Sequence, residues 1–174
     1  MPPLSPPPFS RPFPVSALRD KGAEIALTAS GAERAALAAE DGLVAIASLE
    51  ADFRARREGR TGLIVTGQIR ARVTQTCILS MEPFESDIVA PVEARFDSKA
   101  DAENPAPGME DMDPPDPIIG GKVDLGALAA EFLALALDPY PRKPDAIFEG
   151  GDAELPSEKR SPFAGLKEKW PPNS

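Results

Sequence analysis

The chain has 174 residues, enough for one domain with tails, and a formal charge of −9. That charge opposes a general attraction to nucleic-acid phosphates, though a local basic patch remains open. It has no histidine, which removes the commonest general base near neutral pH, the usual catalytic triads and most zinc sites.

Residues 1–14 hold Pro2, Pro3, Pro6, Pro7, Pro8, Pro12 and Pro14, which predicts an extended, polyproline-like or disordered arm. They lack a charged region followed by an apolar one, so no secretory signal is expected. No stretch of about 20 apolar residues predicts a membrane helix. The lone cysteine forms no internal disulfide, in keeping with a reducing cytoplasm.

The first strand is expected near Val15, and a short one over Ala23–Thr28. Ser30 with Glu33 three residues on is a capping-box pattern. It predicts a helix over Gly31–Glu40 that stops at Gly42. Leu43–Arg57 alternates, with Ala47, Leu49, Ala51, Phe53 and Ala55 on odd positions. Glu58, Gly59 and Arg60 supply a turn. The chain then returns with Leu63, Val65, Ile69, Ala71, Val73 and Cys77 on odd positions and polar residues on even ones. Successive side chains of a strand point to opposite faces, so this hairpin has one apolar and one wet face.

Ile78–Ser86 reads as a second reversal and Asp87–Phe96 as a third strand. Pro91 cannot donate a ladder bond, which places it at an edge or a bulge. Residues 97–117 are acidic and proline-rich and are expected to form a mobile loop. Lys122–Val123 reads as a short strand. Asp124 is suited to cap a helix that ends by Asp138, its apolar stripe being Leu125, Leu128, Ala129, Phe132, Leu135 and Ala136. A polar linker follows, then a short helix opened by Ser161–Pro162 and bearing Phe163 and Trp170. The expected layout is an arm over 1–14, one domain over 15–148, and a tail over 149–174.

Several of these segments carry a family resemblance. They are Gln75-Thr76-Cys77, Met81-Glu82-Pro83-Phe84, Gly121-Lys122-Val123-Asp124-Leu125, Glu131 to Leu137, Asp138-Pro139-Tyr140-Pro141-Arg142-Lys143-Pro144 and Ser161-Pro162-Phe163-Ala164. Together, and in this order, they resemble the YceD family of large ribosomal RNA subunit accumulation proteins. The resemblance implies a bacterial cytoplasmic protein needed for normal accumulation or processing of large-subunit ribosomal RNA. Cys77, Glu82 and Pro83 stand at family-motif positions. Many members carry a Cys-x-x-Cys pair where Cys77 stands. Here the second position is Ser80 and no later cysteine exists, which counts against a zinc role.

The residues support few chemistries. A reactive Cys77 would need a nearby base or cation to stabilise its thiolate; on an apolar face it reads instead as a small buried hydrophobe. Glu82, Glu85 and Asp87 at a reversal read as ordinary exposed carboxylates. The acidic loop lacks calcium-loop spacing. No catalytic residue, metal or cofactor is therefore expected. Arg54, Arg56, Arg70 and Arg72 fall on the wet side of the hairpin. They form either a mixed face of cross-strand ion pairs or a phosphate-binding patch on RNA. No aromatic interleaves them, so base stacking is not expected. Tyr140, Arg142 and Lys143 could meet a partner or cap the preceding helix, and Phe163 and Trp170 could dock on one.

The expected fold is α+β: an antiparallel β meander, curled toward a small, partly closed barrel in one variant, packed by one or two helices. The expected function is a noncatalytic factor acting on ribosomal RNA or a pre-ribosomal particle, with no membrane or DNA partner. The alternative is a protein–protein module that recruits a ribosomal protein or processing nuclease without touching RNA.

Overall fold

The computed structural model describes residues 7–100, 114–144 and 146. The sheet is built from β2 (Ala23–Thr28), β3 (Ala45–Glu58), β4 (Gly62–Thr76), β5 (Pro83–Asp97) and β6 (Asp116–Pro117), in that order. All neighbours are antiparallel except β5 and β6. The meander stays open and does not close on itself, with β2 at one edge. Two short strands, β1 (Pro12–Pro14) and β7 (Lys122–Asp124), pair separately. The helices are α1 (Gly31–Glu40) and α2 (Leu125–Ala136). Among the described residues, no helix is long and apolar enough to cross a membrane.

The alternation in β3 and β4 sets the layers. Leu49, Ala51, Phe53, Ala55, Leu63, Val65, Ile69, Ala71 and Val73 are all buried on one face, and α1, α2 and the N-terminal arm cover it. The even-numbered face stays open to water. One register shift breaks the odd-position reading: Ala47 is a bulge residue in β3, so Ile46 takes the buried site and Ala47 is exposed. Pro91 lies in β5, which is unpaired on its outer side except at Phe96–Asp97, the edge position that its missing N–H requires.

The capping box forms at α1: Ser30 N–H donates to Glu33 Oε2 at 2.7 Å, and Glu33 N–H donates to Ser30 Oγ at 3.4 Å. Asp124 caps α2, accepting the amides of Gly126 and Ala127 at 3.0 and 3.1 Å. The buried arc of α2 differs from the expected stripe. Leu133 is fully buried and Leu135 is 73% exposed. Leu125, Ala129 and Leu133 follow one another at four-residue steps along the sheet-facing side, whereas Leu135 sits beyond its margin.

The arm is also corrected over the part that is described. Phe9 is 1% exposed, and residues 12–14 form β1. Arg11 N–H donates to Asp124 Oδ1 at 2.7 Å, and Leu125 N–H donates to Arg11 O at 3.1 Å. Gly126 makes this contact possible, since a Cβ there would lie 2.8 Å from Phe9 O. The expected strand at Val15 is a 3-10 turn over Val15–Ala17. Asp116–Pro117, expected within the loop, forms β6. Most of the acidic loop and the expected C-terminal helix, with Phe163 and Trp170, lie outside the described residues.

Candidate functional site

Two surfaces gather the residues singled out by sequence. The first is the open face of the sheet. The cross-strand register puts Arg54, Arg56, Arg70 and Arg72 on it, joined by Arg95. It also puts Glu24, Glu50, Asp52, Glu85, Asp87 and Glu93 there. The face is therefore mixed, with carboxylates at least as numerous as guanidinium groups. Arg70 pairs with Asp52 and, at 4.0 Å, with Glu50. Arg72 is held by both oxygens of Asp87, at 2.7 and 3.1 Å. The bond to Arg72 holds the Asp87 carboxyl below its usual range, and the bond from Asp87 raises the Arg72 guanidinium further. Arg54 and Arg56 have no ion pair to a described carboxylate.

The second surface is the far end of the sheet, where β4 passes into β5. Cys77 N–H donates to Glu82 O and Met81 N–H donates to Cys77 O, both at 2.9 Å, closing a tight turn. Met81 adopts φ 59° to do so. The segment after α2 docks on this turn: Ile78 N–H donates to Pro141 O at 3.0 Å, and Lys143 Nζ meets Glu82 Oε2 at 3.1 Å. Pro83, the first residue of β5, starts the strand at its exposed end. So Cys77, Glu82 and Pro83 are brought beside Tyr140, Arg142 and Lys143. Ile78, Met81 and Tyr140 are exposed apolar or aromatic side chains on the segments that meet here.

Cys77 is fully buried, as expected, but it lies outside the main hydrophobic cluster and is more than a small hydrophobe. Its sulfur accepts the Lys143 amide at 3.4 Å. The Ser80 hydroxyl first, then the amides of Lys143, Ser80 and Leu79, lower the thiol to about 6, against burial that raises it. The turn holding Cys77 and the segment that covers it belong to widely separated parts of the sequence, so their contact had no local signal.

Residues 65–168 match the model of the family described as large ribosomal RNA subunit accumulation protein YceD. The chain belongs to the YceD family. No curated protein and no solved structure matches the chain. The YceD match takes in β4, β5, the Cys77 turn, α2, the 138–144 segment, Arg70 and Arg72. It begins after Arg54 and Arg56.

Sequence reasoning missed Phe9, Arg11, Arg19 and Lys21. Arg11 stacks over the Phe9 ring at 4.8 Å and binds Glu33 through both oxygens, at 2.6 and 3.1 Å. The two phenylalanines among the prolines, Phe9 and Phe13, were the local clue to the arm. Arg19 and Lys21 gain their neighbours only through strand pairing.

Proposed function

We propose that this YceD-family chain is a noncatalytic cytoplasmic factor that supports accumulation, processing or assembly of large-subunit ribosomal RNA by binding to it or to the pre-ribosomal particle. The observation that carries the reading is the family match over residues 65–168. A flat open sheet face bearing arginines supports it, because phosphate contacts need exposed cations on a rigid platform. Lack of histidine in the chain, and of a nucleophile–base pair among the described residues, favours binding over catalysis. Arg54, Arg56, Arg70 and Arg72 are the RNA-contact candidates. Arg70 and Arg72 would first have to exchange their carboxylate partners.

The test is in cells that lack the protein. The ratio of large- to small-subunit ribosomal RNA should fall and be restored by the native chain. Crosslinking to the native chain should recover large-subunit RNA. An unchanged ratio overturns the reading.

A second reading has its own observation. Ile78, Met81 and Tyr140 are exposed on the two segments that meet at the motif residues. Such side chains suit a protein partner, either a ribosomal protein or a processing nuclease. Capture of partners with the native chain, with a Met81→Ser/Tyr140→Ala variant and with a chain lacking residues 150–174 separates the readings. Loss of a protein partner while RNA association persists would mark the docking element.

A further inference from the structure

Three turns meet at the hairpin end of the sheet. The last residues of β3 include Arg56 and Arg57, and the β3–β4 turn carries Arg60. The turn ahead of β2 brings Arg19 and Lys21 alongside. Gly22 N–H donates to Arg19 O at 2.9 Å, and Gly22 approaches β3 so closely that a Cβ would lie 2.7 Å from Ala55 O and 3.1 Å from Arg56 Cγ. Arg57 Nη2 reaches Leu18 O at 3.5 Å, which ties the two turns together. The third turn enters through Ser98, whose amide donates to Thr61 O at 3.3 Å.

Arg19, Lys21, Arg56, Arg57 and Arg60 are all exposed at this end. None has an ion pair to a described carboxylate. Three carboxylates share this end: Glu58 is turned to Arg95 at 3.8 Å, Asp97 accepts from Thr61 Oγ1 at 3.0 Å and the Lys99 amide at 2.8 Å, and Asp20 is exposed between Arg19 and Lys21. Further along the same sheet Arg70 and Arg72 are held by Asp52 and Asp87, while Arg54 has no such partner. In a chain of charge −9, five exposed cations without an ion pair to a described carboxylate thus share one end of the sheet.

We propose that this end, formed by Arg19, Lys21, Arg56, Arg57 and Arg60, is a seat for the phosphate backbone of double-stranded RNA. The inference rests on the ribosomal RNA reading above and narrows it, moving the contact from the arginine face as a whole to its hairpin end. Guanidinium groups match phosphate oxygens in a two-pronged geometry that lysine alone does not supply. No aromatic stands among the five to stack on an unpaired base, so the seat reads backbone shape and not sequence. The two turns present cations on both sides of the sheet's end, suited to phosphates across a groove.

The test uses the full chain and a plain RNA duplex of about 20 base pairs, with affinity measured between about 50 and 200 mM salt. Each phosphate neutralised contributes about 0.7–0.9 to the slope of log affinity against log salt. Replacing all five residues by glutamine should lower that slope by about 4. A second variant that keeps Arg57, and with it the bond to Leu18, guards against misfolding and should lower it by about 3. Should the native chain bind duplex RNA and the five-residue variant bind with the same slope, this seat is overturned while the ribosomal RNA reading stands. Should the native chain show no salt-dependent affinity for duplex RNA and none for large-subunit particles, both fall. Equal or tighter binding of a single strand of the same length overturns the duplex assignment.

Discussion

Gly67 faces Phe53 on one side and Val92 on the other, at the centre of the sheet. A Cβ there would lie 2.0 Å from Asp52 O and 3.0 Å from Phe53 Cα, both backbone atoms that cannot rotate away. Gly67→Ala should therefore force β3 and β4 apart and cost about 1–3 kcal/mol in chemical denaturation. Glu33 carries a different load, since it serves both the capping box and the bond to Arg11. The Arg11 guanidinium first, then the Ser30 amide, lower its carboxyl from 4.5 to about 2. A group depressed in the folded state stabilises fully above its unfolded pKa and loses that effect as pH falls through the folded value. The Tm gap between the native chain and Glu33→Gln should thus be full above pH 4.5 and fade as pH approaches 2. A gap independent of pH would show that the charge plays no part.

At the scale of elements, α2 offers the sharpest comparison. Leu133→Ala should cost about 2–5 kcal/mol because it opens a hole against the sheet. Leu135→Ala should change stability by less than about 0.5 kcal/mol. Equal losses in denaturant titrations would mean the helix is rotated from the arrangement described. The same helix shows what sequence makes legible. Its turns are leucine and alanine nearly all round, so several apolar stripes fit and Leu135 is as plausible a core residue as Leu133. From Ser48 to Glu58 and from Thr66 to Thr76 every second residue is charged or polar, so one face is marked as wet before any packing is known. The Ala47 bulge escaped because one extra residue shifts the alternation without changing composition. The arm escaped for another reason: proline density reads as extended chain, and nothing nearby announces that Phe9 has a pocket. The four candidate arginines were legible as one face, but the pairing of Arg72 with Asp87 on β5 depends on register, as does the approach of Arg19 and Lys21. The Cys77 turn was placed at the end of its strand by pattern, while the Tyr140–Lys143 cover comes from folding alone.

For the whole molecule, an open sheet leaves edges, and β5 is a long one. Pro83 and Pro91 interrupt its donors, while Glu85, Asp87, Glu93 and Arg95 add charge along it. Such features discourage strand-to-strand association between copies. Pro91→Val combined with Glu93→Val should increase concentration-dependent association relative to the native chain in sedimentation. Unchanged sedimentation would mean that other features protect the edge.

The docking of the arm has a consequence in time. Arg11 and Asp124 are separated by 113 positions, yet they are bound to each other. Hairpins between adjacent strands can zip up locally as synthesis proceeds, whereas Phe9 must wait for a helix made far later. Residues made before the sheet are thus among the last to settle. Phe9→Ala should accelerate unfolding in stopped-flow measurements while leaving the main refolding rate nearly unchanged. A refolding rate slowed in proportion to the lost stability would instead put the arm in the nucleus.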